Sequence, residues 1–515
     1  MDKNTTHPKG EPKKTQLSTA MDLIPVDTFG GKVHVRWDSQ ASLTPLGQLA
    51  FFIEFLKTSN LFNDWVTQCP MIFTSPNAPN KRDILGTILL SVLAGHKRYS
   101  HITSIRCDNV NPVLLGISKI ASEDAVRRVL QNNIEKSAGI NWLKKSLLQT
   151  YYPLLTEPWI LDVDTTIKTL YGKQEGAIVG YNPHKPGRPS HTYHSYMIAN
   201  LRLMLDIEVH PGNENASKHT APSLWSFLEE LPKDHWPDFL RGDCGFGTDG
   251  IMTQAELIGL PYLFKVKQTK NVKQLISYCM LQGEWQNAGQ KWEGIESELK
   301  LQGWKYPRHV IILRKQVPKE VSVLTEDKKT GQLEMNFTEI ESEMRVYEYA
   351  VLVTSLEDDI YTIAQHYRDR ADSENNFDEL KNQWGWLGFT THDLKRSSMM
   401  ARVIALIYNW WTLFTRLINP NKHMEALTSR PLLLHAVGKQ TFHANQIMLT
   451  ISSTHGEAKQ IHQRLAAVSR FLKKLQLNAE QLTTIECWYH ILSAAFVKYL
   501  KGRILKPPDM LTQIC

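Results

Sequence analysis

The chain has 515 residues, 42% of them hydrophobic, with 14 Trp and a formal charge of +7. Such a composition excludes a wholly disordered chain, which would be poor in apolar and aromatic residues, and the length predicts about three domains of roughly 100–200 residues. Six scattered cysteines without C-x-x-C spacing exclude a zinc or disulfide framework and predict a reducing compartment; the modest positive charge suits a polyanionic partner without requiring one. The first twenty residues read as a disordered tail, and the absence of an apolar h-region predicts no secretory signal. From 45 to 150 the segments "PLGQLAFFIEFLKTSNLF", "KRDILGTILLSVLAGHK" and "SEDAVRRVLQNNI" carry apolar residues at helical spacing. The third opens on Ser122 and Glu123 as capping residues and turns Arg127 and Arg128 outward, which fits either DNA contact or a solvated face.

From Trp159 strands and helices alternate. "WILDVDTT" reads as a strand, "YHSYMIANLRLMLDIEVH" as a strand pair, "APSLWSFLEEL" as a helix, "DFLRGDC" as a strand, "DGIMTQAELIG" as a helix and "PYLFKVK" as a strand. This order predicts an α/β fold, a mixed sheet with helices packed on it. Residues 270–345, rich in charge, Gln and Gly and holding Trp285, Trp292, Trp304 and the turn-like "EDKKTGQ", read as an insertion. After Trp386 the chain is expected to be helical to its end. The run "ARVIALIYNWWTLFTRLI" is interrupted by Asn409, Thr412 and Thr415 and predicts a buried helix rather than a membrane span.

Period-two alternation puts Asp162 and Asp164 on one face of their strand, near the strand end where open sheets bind ligands. One of the two is expected to cap the following turn. "RGDCGFG" ends a second strand on Asp243 and follows it with glycines that let a ligand approach the backbone. In "YRDRADSENNFDELK", taken as a helix, Tyr367, Arg370, Glu374 and Lys381 share an arc of about 60° beside the apolar stripe. An ordinary Arg370–Glu374 ion pair, worth a few tenths of a kcal/mol, explains part of that pattern. His191 and His194, three apart on a strand, fall on opposite faces and are read as structural or DNA-adjacent.

The spacing of Tyr367, Arg370, Glu374 and Lys381 resembles, at every position, the YREK signature of bacterial insertion-sequence transposases of the DDE class. A chance match in a chain this long is about one in a few hundred. "DVDTT" is similar to that group's first-Asp strand and "RGDCGFG" to its second, and "YGKQEGAIVGYNPHKPGRPSHTYH" resembles the segment after the first Asp in one subfamily. The resemblance covers residues 155–400 and the flanks only loosely. It implies a ribonuclease-H-like mixed sheet with a mostly β insertion, flanked by helical N- and C-terminal regions. The domains expected are a tail at 1–20, a helical DNA-binding region at 21–150, a catalytic domain at 151–400 interrupted at about 270–345, and a helical region at 401–515.

On this resemblance Asp164, Asp243 and Glu374 form a metal-binding triad; Asp164, two residues before Thr166, fits the first position better than Asp162. An all-oxygen set without His or Cys suits two Mg2+ or Mn2+ ions, which activate and stabilise the oxygens of a phosphodiester exchange. Tyr367, Arg370 and Lys381 are expected to contact DNA phosphates, with Arg188 (beside Lys185) and Lys267, in the run Lys265, Lys267, Lys270 and Lys273, as further DNA contacts. The resemblance also implies that Trp285, Trp292 or Trp304 could hold a flipped base. The partners implied are double-stranded DNA, as terminal inverted repeats and target, and a second copy of the chain in the DNA complex, with no membrane; the place implied is the bacterial cytoplasm, at the nucleoid. A structure-selective nuclease and a catalytically silent DNA-binding derivative are the alternatives. A glycoside hydrolase would use paired carboxylates but leaves the Tyr, Arg and Lys spacing unexplained.

Overall fold

A computed structural model describes residues 23–507 apart from 76, 184, 215, 318–345 and 479–480. The expected N-terminal tail, the "EDKKTGQ" turn and Cys515 lie outside the described residues. The N-terminal part contains strands β1 (Ile24–Thr28), β2 (Gly31–Val35) and β3 (Leu43–Thr44), then helices α1 (Leu49–Thr58), α2 (Leu61–Gln68), α3 (Lys81–Leu93), α4 (Asn111–Leu115), α5 (Glu123–Asn132) and α6 (Lys136–Tyr151). The helices fall where the apolar spacing predicts them; the β1–β2 hairpin was not expected. Ser122 caps α5 by accepting the Ala125 amide at 3.2 Å, satisfying one of the amides a helix start leaves free.

The central part runs β4 (Ile160–Thr169), β5 (Ile178–Val179), β6 (Pro189–Ile198), β7 (Leu203–Pro211), α7 (Ala216–Glu229), β8 (Phe239–Gly242), α8 (Asp249–Ile258), β9 (Tyr262–Lys265), α9 (Lys270–Gln282), β10 (Gln286–Gly289), β11 (Trp292–Leu299), β12 (Arg308–Val317) and β13 (Val346–Thr354). These strands form one ten-stranded sheet in the order β10-β11-β12-β13-β9-β8-β4-β6-β5, with β7 also on β6. β4 is antiparallel to β6 and parallel to β8, and β8 is parallel to β9. The stretch expected to be an insertion therefore opens with a helix, α9, and its strands are no separate unit. β12 pairs with β13 over Val310–Val353 to Val317–Val346, and β13 pairs with β9, so the strands extend the same sheet.

The remainder comprises α10 (Ile360–Arg368), α11 (Arg370–Gln383), α12 (Leu394–Ile418), α13 (Ala426–Leu433), the strands β14 (Val437–His443) and β15 (Gln446–Ser452), α14 (Ala458–Leu477) and α15 (Thr484–Ala495). The expectation of an all-helical C-terminal region is corrected by β14 and β15, which join β3 in a three-stranded sheet. Leu43 and Thr44 pair with Lys439 and Gly438, a long-range pairing that local periodicity does not reveal.

Helix α12 is buried along nearly its whole length, as a helix apolar all round should be. Two of its buried polar side chains, Asn409 and Arg402, are fully engaged. Asn409 accepts the Met204 amide at 2.8 Å and donates to the Met204 carbonyl at 2.7 Å, satisfying backbone groups of β7. Arg402 donates to both oxygens of Asp206 at 2.7 and 3.0 Å. Among the described residues no helix is long and apolar enough to cross a membrane.

Candidate active site

Strand β4 carries Asp162 and Asp164 on one face, and the two have separate surroundings. Asp162 is fully buried: Arg241 donates from Nε and Nη2 to its two oxygens at 2.6 and 2.8 Å, and the Ser373 hydroxyl donates to the second. Its Cα partner across the parallel β4–β8 ladder is Arg241 itself, whose remaining nitrogen donates to the His366 carbonyl. Asp162 thus ties β4, β8 and the α10–α11 segment together through a bidentate pair.

Asp164 instead faces a cleft of about 360 Å³ that is also lined by Asp243, Cys244, Lys265, Tyr367, Arg370, Glu374, Phe377 and Lys381. Three carboxylates from three segments separated in sequence, and all four residues of the Tyr-Arg-Glu-Lys spacing, meet there. Asp243 follows β8 directly, and its Oδ1 accepts the Gly245 amide at 2.8 Å, fixing the turn. Two glycines flanking this turn are required by its packing. A Cβ at Gly242 would lie 3.0 Å from the Phe246 ring, and one at Gly247 would lie 3.2 Å from the Lys265 carbonyl oxygen. Gly242 makes room for Phe246 of the turn itself, and Gly247 lets the turn pack against β9.

The Tyr-Arg-Glu-Lys segment is not one helix. It breaks at Asp369, with Tyr367 in α10 and the others in α11. Asp369 keeps φ −63° and ψ −11°, so helical direction is nearly maintained across the junction and the four side chains still share a wall.

Arg370 is buried, not presented to solvent. It lies 3.2 Å from Asp164 and forms an ion pair with Glu374, standing between the two carboxylates. Burial works against its charge, but Asp164, Tyr367, Asp162 and Glu374 together outweigh that and hold its pKa above the ordinary value. In this arrangement the guanidinium is occupied by carboxylates.

Burial pushes the Asp164 carboxyl up to about 6; Arg370 opposes the shift and neighbouring Asp243 adds to it. Burial likewise raises the Tyr367 hydroxyl, and burial followed by the charge of Asp243 raises the thiol of Cys244. Glu374 is mostly exposed and Lys381 half-buried.

Other expected contacts fall elsewhere. Lys265 lines the cleft, whereas Lys267, two residues on and also exposed, does not, although its charge reaches Cys244. Arg188 is exposed in the loop before β6, where its guanidinium carbon lies 5.8 Å from the Tyr171 ring centre beside Lys185. His191 and His194 are buried, meeting the Glu175 carbonyl and the Thr220 hydroxyl. Trp285 and Trp292 are half-buried, with Arg314 at 4.0 Å over the first and Lys315 at 5.8 Å over the second. Trp304 is in the core.

Sequence reasoning missed Arg241, whose signal was its place two residues before Asp243 on the same strand face, opposite a paired Asp. It also missed Glu379. Glu379 is buried and accepts from Trp384 Nε1 at 3.0 Å, the Ala426 amide at 2.9 Å and His423 Nε2 at 2.7 Å. That links the back of α11 to the start of α13.

The family described as transposase DDE domain group 1 matches residues 78–473. The chain belongs to this family. It is a DDE-type transposase by family, a class that in general uses divalent metal ions and acts on DNA. No curated protein matches it. Among solved structures, the cryo-EM structure of piggyBac transposase in its synaptic complex with hairpin DNA aligns over 92% of this chain and 91% of that one. Identity is 11% and the TM-score 0.35, too slight a likeness to carry an argument.

The cleft residues suit a hard divalent ion by donor chemistry: three carboxylates line it without a histidine, and burial raises the pKa of the one thiol there, Cys244, which disfavours its thiolate. They are not drawn together: among the described residues no group of three or more His, Cys, Asp or Glu is close enough to hold a metal ion. A cation, the Arg370 guanidinium, already bridges two of the three.

Proposed function

We propose that this DDE transposase binds the terminal inverted repeats of its own mobile element, cleaves the element's ends and transfers them to target DNA. The observation that carries the proposal is the meeting of Asp164, Asp243 and Glu374 with Tyr367, Arg370 and Lys381 on one cleft. The YREK reading, and with it an origin in a bacterial insertion sequence, rests on the sequence spacing of Tyr367, Arg370, Glu374 and Lys381.

Two Mg2+ or Mn2+ ions held by Asp164, Asp243 and Glu374 would stabilise the attacking and leaving oxygens of the phosphodiester. The chain's own residues do the rest. Lys381 and Lys265 would attract phosphates beside the scissile bond, Tyr367 would donate to one, and Arg370, on the same wall of the cleft, would contact another. Asp162 and Arg241 hold the strand that presents Asp164.

A ribonuclease-H-like core is supported by the run β7-β6-β4-β8-β9, antiparallel on one side of β4 and parallel on the other. We assign catalysis to 151–400, with 21–150 and 401–515 as flanking regions, assembly as a homodimer on DNA, and residence in the bacterial cytoplasm at the nucleoid.

The deciding experiment gives the purified protein Mg2+ and either terminal-repeat duplex or the same duplex scrambled. Cleavage confined to the repeat ends, with strand transfer to a second DNA, is expected. Equal cutting of both substrates would establish a structure-selective nuclease instead, and binding without cutting would establish a catalytically silent DNA-binding derivative.

A further inference from the structure

A second polar cavity, of about 300 Å³, lies between the N-terminal helices and the catalytic part. Arg127 of α5 and Arg396 of α12 both line it, with Gln131, Gln174, Thr391 and His392, and no carboxylate is among its lining residues. The nearby acids bind these arginines only weakly or have other partners as well. Asp393 pairs with Lys136 and caps α12 by accepting the Arg396 amide at 2.9 Å, and Glu175 accepts the Leu394 amide at 3.0 Å. Asp124 lies 3.7 Å from Arg127 in a solvent-exposed pair of the kind worth little.

Two atoms at this cavity are buried without a hydrogen-bond partner, Nε of Arg396 and Oε1 of Gln174. Arg396 has a side chain only 12% exposed, with a 3.4 Å contact from Nη1 to Gln131 and Asp393 4.0 Å from Nε. A buried guanidinium so thinly satisfied costs free energy unless an anion completes it. Gln174 follows β4 and Thr391 follows α11, so the cavity hangs from the strand that carries Asp164 and the helix that carries Glu374.

We infer that this cavity is a phosphate-binding site, in which Arg127 and Arg396 receive a phosphate oxyanion outside the catalytic cleft. Guanidiniums match phosphate oxygens bidentately. The phosphate is carried by a DNA backbone or is free in solution; the DNA source rests on the function proposed above. In that case α5 meets DNA through a phosphate, which positions the duplex without reading its sequence.

The test measures binding of a duplex by fluorescence anisotropy in Ca2+ across a salt series, for the full chain and for Arg127→Gln and Arg127→Gln/Arg396→Gln. Arg127 is exposed, so its single variant guards against a folding defect from loss of buried Arg396. A DNA phosphate predicts about tenfold weaker binding in the double variant, and a slope of log K against log salt shallower by ~0.9 per lost contact. A parallel arm adds inorganic phosphate and follows thermal unfolding. Stabilisation of the wild type but not of the double variant, with an unchanged salt slope, assigns free phosphate as the source.

An unchanged salt slope together with equal phosphate response in both proteins overturns the site. The wild type's end cleavage keeps the two readings apart. If it cleaves repeat ends while the cavity arms fail, only the cavity is lost; if it fails to cleave while phosphate stabilises it through these arginines, only the proposed function is lost.

Discussion

Asp162→Ala is expected to destabilise the protein by about 3–5 kcal/mol, whereas Asp164→Asn should leave metal-free stability within about 1 kcal/mol of wild type. The two carboxylates are two residues apart on one strand face, yet their environments oppose each other. Removing Asp162 strands the fully buried Arg241 and the Ser373 hydroxyl together, an uncompensated charge in the centre of the sheet. Removing the charge of Asp164 costs Arg370 one partner while leaving it Glu374, and relieves the burial that already disfavours the ionised form. Thermal unfolding of both variants in chelator checks this. A stable Asp162→Ala protein, or equal losses from the two substitutions, would show that the roles of scaffold and site have been assigned the wrong way round.

Asp164→Asn, Asp243→Asn and Glu374→Gln should each slow end cleavage by about a thousandfold or more, equivalent to ~4 kcal/mol of barrier. Affinity for the same DNA should change only a few-fold. The disparity follows from what the carboxylates do: they hold the ions that stabilise charge developing in the transition state, while DNA is held mainly by cations around them. Single-turnover cleavage and anisotropy on one substrate separate the two effects. If Glu374→Gln cuts at the wild-type rate, the catalytic reading of the cleft is wrong.

Much of this was legible in the sequence because it depended on short-range periodicity. Alternation in "WILDVDTT" placed two Asp on one face, and helical spacing grouped Tyr367, Arg370, Glu374 and Lys381 in a way that even the break at Asp369 does not undo. What alternation cannot say is which member of a same-face pair meets a buried partner. That Asp162 belongs to Arg241 depends on the β4–β8 register, a contact 79 residues apart in sequence. Glu379 was missed for the same reason, since its partners His423 and Ala426 arrive from beyond the following long helix. The β14–β15 hairpin and its pairing to β3 were likewise invisible, being set by register between distant segments.

Binding of Mn2+ to the protein on uncleaved DNA, measured by electron paramagnetic resonance for wild type and Asp243→Asn, tests the central claim most directly. The account predicts two ions per chain in the wild type and a loss of binding in the variant. It also predicts a pH dependence of known sign. Because the Asp164 proton is held up to about 6 in the folded chain, affinity should be full above that pH and fall as pH drops through it, when a proton competes for the ligand. Equal Mn2+ binding by wild type and Asp243→Asn, with no decline below pH 6, would contradict the assignment of this cleft as the metal centre.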